Sequence, residues 1–249
     1  MKNLSVLALA ALTPALTLAH YHFPHLIINN QVTGAHEYVR EHDNGYMPSW
    51  DDGRFLGSND LRCNKGSENH RTQPKTAKVV AGKDVVGFAT NVQAEIQHPG
   101  PLQIYMSKAP GDVRDYDGSG EWFKVYQLGH RDGSTEDKAW LSWGQKQFTF
   151  ALPAEIPAGQ YLLRIEHIAT HQPYKGREFF LQCAHLQIES SYTGAQPANT
   201  FRIPGVYKRD QAFFQYDSWA KPQPETCPMP GPAMWPNNNN FNKMLWENM

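Results

Sequence analysis

His20 could chelate a metal ion through two of its own nitrogens. It follows a stretch typical of a secretory signal peptide, with Lys2 as a positive start, Leu4 to Leu12 as a short apolar core, and small residues at Thr17-Leu18-Ala19. Cleavage after Ala19 would leave His20 at the mature amino terminus, with a free α-amine beside its ring Nδ1. That amine titrates near about 8 in model peptides, so a metal ion can displace its proton at neutral pH. Cleavage after Ala15 would instead leave the amine in a peptide bond.

Four further histidines stand in contexts that suit metal or proton chemistry. His98 begins the segment His98-Pro99-Gly100-Pro101, which either aims the side chain at a site or is only a structural turn. His22 lies two positions after His20 and could offer a third nitrogen, although His-X-His alone is a weak signal. His167 and His171 have the spacing of zinc ligands on a helix. The catalytic glutamate of that motif is absent and the preceding residues alternate as a strand, so we disfavour a zinc-hydrolase helix.

The elements that must position these residues have the pattern of β-strands. Short β-branched or apolar runs, separated by glycine and proline, occupy residues 77–81, 85–90, 102–106, 122–128, 147–152, 161–168 and 179–188. Leu163 and Ile165 alternate with Arg164 and Glu166, which places the polar pair on one face of a strand and the apolar pair on the other. The pattern predicts an all-β fold, an antiparallel β-sandwich with long loops. We expect the long irregular stretch from Asn29 to Thr76 to be either functional or disordered.

Length and charge narrow the class of protein. The chain has 249 residues and a formal net charge of −1, with acids and bases mixed along it. This balance does not indicate a nucleic-acid-binding surface, and no run approaches the ~20 apolar residues of a membrane span. We expect a signal peptide at residues 1–19, one sandwich domain at residues 20–236, and a flexible tail at residues 237–249 that begins with the run Asn237 to Asn240.

Three cysteines are present, and secretion favours disulfides. Cys63 and Cys183 both lie in or beside ordered segments, so they are the expected pair. Closing so long a loop is worth about 3–5 kcal/mol in the chain-entropy model. Cys227 is left over in a proline-rich stretch and is either free or paired with another molecule.

Several short segments resemble, in order and spacing, the fungal lytic polysaccharide monooxygenases of auxiliary activity family nine, formerly glycoside hydrolase family sixty-one. They are His20 after the signal peptide, Leu61-Arg62-Cys63-Asn64, His98-Pro99-Gly100-Pro101 with Leu102 to Met106, Gly159 to His171, Glu178 to Cys183, and Pro230-Gly231-Pro232-Ala233. The resemblance covers residues 20 to about 235. It implies a fibronectin/immunoglobulin-like β-sandwich, which agrees with the strand pattern.

The resemblance also implies a histidine brace for one copper ion. The α-amine and ring nitrogen of His20 and a ring nitrogen of His98 would form a T-shaped set of three nitrogens, a donor type that suits copper. It implies a secreted, extracellular, monomeric enzyme that cleaves β-linked glucans (cellulose or hemicellulose) with dioxygen or hydrogen peroxide and an external electron donor. The pair Cys63 and Cys183 matches the usual disulfide of the family.

The chain departs from the family pattern beside the expected copper site. Where the family commonly has Gln-X-Tyr, this chain has Glu178 and Phe180. Phe180 stands at the axial position but has no hydroxyl to approach the metal. Glu178 can replace glutamine as a hydrogen-bond donor only if it is protonated. Alternatively, Glu178 shuttles protons, or it makes a purely structural contact with Arg177 or Arg164.

Other residues match supporting positions of the family. His171 matches a histidine that would share proton and oxygen handling with Glu178. Arg164 and Glu166 match a polar pair expected to form a supporting network.

A further departure concerns substrate binding. Many members carry a surface tyrosine where this chain has Cys227, and loss of that ring removes apolar area that would stack on a sugar. The aromatic residues that could compensate are Tyr38, Tyr46, Trp50, Tyr207 and Trp235. These departures leave two alternatives open: a copper-binding protein of the same fold with little or no glycan oxidation, and a carbohydrate-binding sandwich without metal.

Overall fold

Two β-sheets pack face to face in the computed structural model, which describes residues 20–131, 137–171, 176–195, 197–222, 224 and 226–236. The four-stranded sheet has the order β2 (Gln31–Val32), β1 (His25–Ile28), β5 (Val85–Ala89) and β8 (Gln147–Ala151). The seven-stranded sheet has the order β11 (Phe201–Arg202), β7 (Glu121–Leu128), β6 (Leu102–Lys108), β9 (Gly159–Ala169), β10 (Glu178–Glu189) and β3 (Ser49–Trp50), and β4 (Ala77–Val80) pairs with the far end of β10. All these pairings are antiparallel except that of β4 with β10. The predicted antiparallel sandwich is therefore confirmed.

The helices among the described residues are single turns. They are α1 (Asp60–Cys63), α2 (Ala212–Gln215) and the 3₁₀ turns Phe55–Gly57, Ser67–His70, Asn91–Gln93, Val113–Asp115 and Asp137–Ala139. None of the described helices has the length and apolar character needed to cross a membrane.

The seven runs predicted as strands correspond to β4 to β10, with ends displaced by two residues or fewer. The short strands β1, β2, β3 and β11 were not predicted. Three of them have only two residues, too few for an alternating pattern to show. β1, with the sequence His-Leu-Ile-Ile, buries two successive residues and so does not alternate either.

The core between the sheets holds the apolar faces of both. Phe88 and Phe148 of the four-stranded sheet belong to one buried cluster with Ile104 and Leu163 of the seven-stranded sheet. Burial of this apolar surface is the main favourable term that holds the two sheets together.

β9 is buried on both faces, unlike a strand with one solvated face. Period two correctly separates Leu163 and Ile165 from Arg164 and Glu166, but the polar pair is also fully buried. A second apolar cluster, which includes Leu61, covers that outer face. The segments that cover it are irregular, so the strand pattern gave no sign of them.

Part of the stretch from Asn29 to Thr76 packs against the seven-stranded sheet. Phe55, Leu56 and Leu61 from this stretch pack in the second apolar cluster. The disulfide between Cys63 and Cys183 is present, with a Cα–Cα distance of 5.2 Å, so the expected pairing is confirmed.

Cys227 has no disulfide partner within the described chain. Burial raises the pKa of its thiol to about 12, against a smaller lowering by Arg177, so the reactive thiolate is scarce at neutral pH. The expected signal peptide at residues 1–19 and the expected tail at residues 237–249 lie outside the described residues.

Candidate metal centre

Three strands of the seven-stranded sheet bring the candidate residues to one end of the sandwich. In the antiparallel register, Glu178 lies opposite Ala169, Phe180 lies opposite His167, and Leu102 also lies opposite His167. The start of β10, the start of β6 and the end of β9 therefore meet. His98 precedes β6 and His171 follows β9, so both reach this end together with Glu178 and Phe180.

The turn His98-Pro99-Gly100-Pro101 is fixed against the end of β9. The amide of Thr170 donates to the carbonyl of Pro99 at 2.7 Å, and the amide of Ile168 donates to that of Pro101 at 3.1 Å. A Cβ atom at Gly100 would lie 2.0 Å from the carbonyl oxygen of Ile168, so only glycine permits this approach. The turn that sequence reasoning singled out is thus the device that positions His98.

His20, His98 and Glu178 form the one group in the described chain whose ligand atoms lie close enough to share a metal ion. One ligand atom from each residue lies within 4.8 Å of those of the other two. The rings of His20 and His98 are 6.0 Å apart between centroids, and His98 Nε2 lies 3.7 Å from Glu178 Oε2. Sequence reasoning named all three residues, with His20 and His98 as the expected ligands and Glu178 beside them.

His171 lies beside this group rather than in it. Its ring stacks on the ring of His98 with centroids 4.7 Å apart, and its Nε2 lies 3.8 Å from Glu178 Oε2. Glu178 therefore contacts two imidazoles at similar distances. The predicted structural contacts of Glu178 with Arg177 or Arg164 are not formed, because both guanidinium groups donate to carbonyl groups elsewhere.

Phe180 forms an apolar wall of the centre. It is buried, and its ring stacks on Tyr21 at 4.2 Å and lies 5.5 Å from the ring of His98. The ring of His20 is 6.3 Å away. Phe180 thus lies beside His20 and His98, and it offers no donor atom there.

Tyr21 and His167 are buried supports of the centre, of which sequence reasoning did not name Tyr21 and considered His167 only as a zinc ligand on a helix. The Tyr21 hydroxyl donates to His167 Nδ1 at 2.7 Å, and His167 Nε2 lies 3.2 Å from the carbonyl oxygen of Gly100. Burial, with a smaller contribution from His98, lowers the pKa of His167 to about 3, so this imidazole is neutral and donates through Nε2. The available signal was period two in β9, which turns His167 toward the same side as Ile165. Because His167 lies in β9, the zinc-helix interpretation is wrong.

His22 does not join the candidate metal centre. Its ring lies 5.9 Å from that of His36 and 6.2 Å from that of His42, measured between centroids. Its amide donates to Asn91 Oδ1 at 3.0 Å. The suggestion that His22 supplies a third nitrogen is therefore not supported by its position.

The Arg164–Glu166 pair forms a buried polar network on the other face of the sheet. Arg164 Nη2 lies 2.5 Å from Glu166 Oε2, and the Tyr207 hydroxyl donates to Glu166 Oε1 at 2.5 Å. Arg164 also donates to the carbonyl groups of Leu61 and Arg62, beside the disulfide. Side chains alternate along β9, so this network lies on the opposite face from His167. It supports the fold behind the centre rather than touching it.

Exposed aromatic rings flank the centre. Trp219, which sequence reasoning did not name, is 57% exposed, and its ring lies 5.5 Å from that of His171. Trp50 is 44% exposed and lies opposite Glu178 in the β3–β10 pairing. Of the other aromatic candidates, Tyr46 is exposed, Tyr207 is buried, and Tyr38 and Trp235 pack against the core.

Known proteins share both the sequence and the fold of this chain. The family model for Auxiliary Activity family 9 (formerly GH61) matches residues 20–226. AA9 family lytic polysaccharide monooxygenase G of Aspergillus tamarii is 42% identical over 237 residues, which cover 94% of this chain and 71% of that protein. Monooxygenase D of Emericella nidulans is 39% identical over 242 residues, with 94% and 83% covered.

A solved structure agrees with these sequence relatives. The crystal structure of a cellulose-active polysaccharide monooxygenase from M. thermophila has a TM-score of 0.72 to this chain at 25% identity and covers 87% of this chain and 99% of its own. The family model spans most of the chain, and relatives well above 30% identity match over nearly its whole length. The chain belongs to Auxiliary Activity family 9 and is a lytic polysaccharide monooxygenase, an oxidoreductase that cleaves polysaccharides oxidatively.

Proposed function

We propose that the chain is a secreted, copper-dependent enzyme that cleaves β-linked glucans, with dioxygen or hydrogen peroxide as oxidant and an external electron donor. One observation carries the proposal: ring nitrogens of His20 and His98 converge with a carboxylate oxygen of Glu178 to within 4.8 Å in a chain of this family. The cellulose-active relative from M. thermophila supports a β-glucan as the substrate.

The donor atoms fit a copper ion. Imidazole and amine nitrogens suit copper, which also has the highest affinity among the divalent first-row metals. Glu178 Oε2 is buried and makes no hydrogen bond to any described residue, so a polar atom faces the group without a protein partner. Cleavage after Ala19 would add the α-amine of His20 to the ring nitrogens. Copper, when bound, would supply the one-electron chemistry that activates the oxidant.

The residues around the metal group would orient the ligands and carry protons. Neutral His167 holds the Tyr21 hydroxyl and the Gly100 carbonyl, and so would fix the residue next to His20 and the turn that carries His98. His171 Nε2, at 3.8 Å from Glu178 Oε2, is placed to pass a proton to or from the reacting oxidant. The buried ring of Phe180 would exclude water from one side of the centre.

Exposed aromatic rings would bind the substrate. Trp219 lies beside His171, and Trp50 lies opposite Glu178. Both present apolar ring faces to solvent. Sugar rings also have apolar faces, so a glucan chain can bury them against these indoles. This would compensate for the tyrosine that the chain replaces with Cys227.

The test is direct detection of products. The processed protein, its amino terminus verified as His20 by sequencing, is loaded with copper and incubated with a reductant and a panel of β-glucans. We expect oxidised oligosaccharides by mass spectrometry, and we expect His98→Ala to abolish them. Absence of oxidised products from every glucan, or unchanged products from His98→Ala, would sink the proposal.

A second candidate function is copper binding with little or no glycan oxidation. Glu178 and Phe180, both at the metal group, favour it because they depart from the pattern of the family. It predicts tight copper binding without products, and a gain of activity in the double variant Glu178→Gln/Phe180→Tyr. Loss of an existing activity in that variant would exclude it.

A further inference from the structure

The carboxylate of Glu178 is buried, and no lysine or arginine forms an ion pair with it among the described residues. The residue is 8% exposed, and its Oε2 makes no hydrogen bond in the part of the chain that the structure describes. Its ion-pair contacts there are His98 at 3.7 Å and His171 at 3.8 Å, and no lysine or arginine is among them. A buried carboxylate is costly unless a cation or hydrogen bonds offset its charge. The centre therefore needs positive charge close to Glu178.

The backbone fixes the direction of this carboxylate. Glu178 is the first residue of β10 and is paired on both sides, with Ala169 of β9 and with Trp50 of β3. Side chains two apart on a strand share a face, so Glu178 points to the same side as Phe180, the wall of the centre. The convergence of the carboxylate on the histidines follows from the strand register, not from a loose surface rotamer.

The distances are close to those of a common ion. Nitrogen and oxygen ligands lie about 2.0–2.2 Å from a first-row ion, so two ligands of one ion are at most about 4.4 Å apart. The ligand atoms of His20, His98 and Glu178 lie within 4.8 Å of one another before any ion is present. Side-chain shifts of about 1 Å or less would bring all three to one ion.

We propose that Glu178 is itself a ligand of the metal ion, so that the centre is a histidine brace with an added carboxylate. The proposal rests on the proposed metal site and deepens it. Phe180 offers no donor atom, and Glu178 then supplies an oxygen donor to the ion. A carboxylate is a harder donor than imidazole and favours a divalent over a monovalent ion, so Cu²⁺ is held more tightly relative to Cu⁺. His171 is left as the proton-carrying side chain beside the centre.

The first test measures Cu²⁺ affinity in the processed full chain by competition with a chelator. We expect Glu178→Gln to weaken Cu²⁺ binding more than about 100-fold, because loss of an outer partner of a ligand typically costs only 10–100-fold. The electron paramagnetic resonance spectrum of bound Cu²⁺ should change as well, since an oxygen ligand is lost. Glu189→Gln, an exposed carboxylate at the other end of β10, is the matched control and should alter neither measurement.

The second test uses the metal-free protein and separates ligation from a structural role. In chelator, Glu178→Gln should melt at a higher temperature than the wild type, because a neutral amide replaces a buried carboxylate whose Oε2 has no hydrogen-bond partner. The rise in melting temperature on adding Cu²⁺ should be smaller in this variant than in the wild type. A purely structural carboxylate predicts the opposite in chelator, namely a loss of stability.

The outcomes separate this inference from the proposed function. A wild-type protein that binds no Cu²⁺ tightly, even with His20 at its amino terminus, removes the metal site altogether. In another outcome the wild type binds Cu²⁺ tightly, His98→Ala destroys this binding, and Glu178→Gln weakens it by 100-fold or less. That result leaves the copper site in place and overturns only the ligand role of Glu178. An unchanged resonance spectrum in Glu178→Gln would do the same.

Discussion

Trp219 is the residue whose position bears most directly on substrate binding. Its indole lies beside the ring of His171, next to the candidate centre, and 57% of the residue is exposed to solvent. Stacking that buries about 50 Å² of apolar ring surface is worth about 1.3 kcal/mol, or about tenfold in dissociation constant. We therefore expect Trp219→Ala to weaken binding of a soluble β-glucan oligosaccharide about tenfold, measured by titration calorimetry.

The control for Trp219 is an aromatic residue far from the centre. Tyr192 follows the far end of β10, about 35 Å along the strand direction from Glu178. Tyr192→Ala should leave the dissociation constant of the oligosaccharide unchanged, and both variants should keep the wild-type Cu²⁺ affinity. Equal glucan affinity in Trp219→Ala and the wild type would show that this ring does not contact the sugar.

The residues of the centre were predictable to different degrees. The expected roles of His20, His98, His171 and Glu178 came from short segments that resemble the family in order and spacing. The roles of Tyr21, His167 and Trp219 could not be predicted, because they depend on the pairing of β9 with β10 and on the packing of a late loop. Strand pairing and loop packing are contacts between segments that are distant in sequence, and patterns within one sequence do not encode such contacts.

At the scale of elements, β9 shows what alternation reveals and what it hides. The strand and its two faces were predictable from period two. The cover over the outer face was not, because the single-turn helices that hold Leu61 and Phe213, with the irregular segments around them, supply it. The buried ion pair Arg164–Glu166 on that face has side chains that are fully inaccessible to solvent. Each charge there depends on the other for compensation.

The outer face of β9 yields a prediction about coupling. Removing one partner of a buried ion pair typically costs 3–5 kcal/mol, because the other charge is left uncompensated, whereas replacing both costs much less than the sum. We expect Arg164→Met and Glu166→Leu each to lower the free energy of unfolding by about 3–5 kcal/mol. The double variant should lose at least about 2 kcal/mol less than the sum of the two single losses. Urea unfolding of the four proteins measures this cycle.

An exposed pair on the same sheet provides the comparison. Arg202 Nε lies 2.9 Å from Glu121 Oε1, with side chains 69% and 49% exposed. Exposed pairs contribute about 0–1 kcal/mol, so the equivalent cycle at Arg202 and Glu121 should show little coupling. If the losses in free energy of unfolding at Arg164 and Glu166 were additive, the two charges would be compensated by neighbouring groups and not by each other.

At the scale of the whole molecule, one buried contact joins three parts of the chain. Arg40 Nε donates to His185 Nε2 at 2.7 Å, and Arg40 Nη2 donates to the carbonyl groups of Val113 and Tyr116 at 3.0 and 2.7 Å. The contact ties the early irregular stretch to the middle of β10 and to the turn before β7. It requires His185 to accept a hydrogen bond, so the imidazole must be neutral in the folded protein.

His185 therefore makes the stability of the fold depend on pH. Burial, together with the nearby Arg40, lowers the pKa of His185 to about 3 from its usual 6.5. Between these values the unfolded chain binds a proton that the folded protein does not, so stability is full above pH 6.5 and falls as the pH falls. One such group contributes a loss of about 2 kcal/mol between pH 7 and pH 5.

Urea unfolding in metal-free buffer should show that His185→Gln, whose amide oxygen can still accept from Arg40, loses about 2 kcal/mol less over this range than the wild type. Parallel stability curves would mean that His185 binds its proton equally well in the folded and the unfolded chain, which would contradict a neutral His185 that accepts from Arg40.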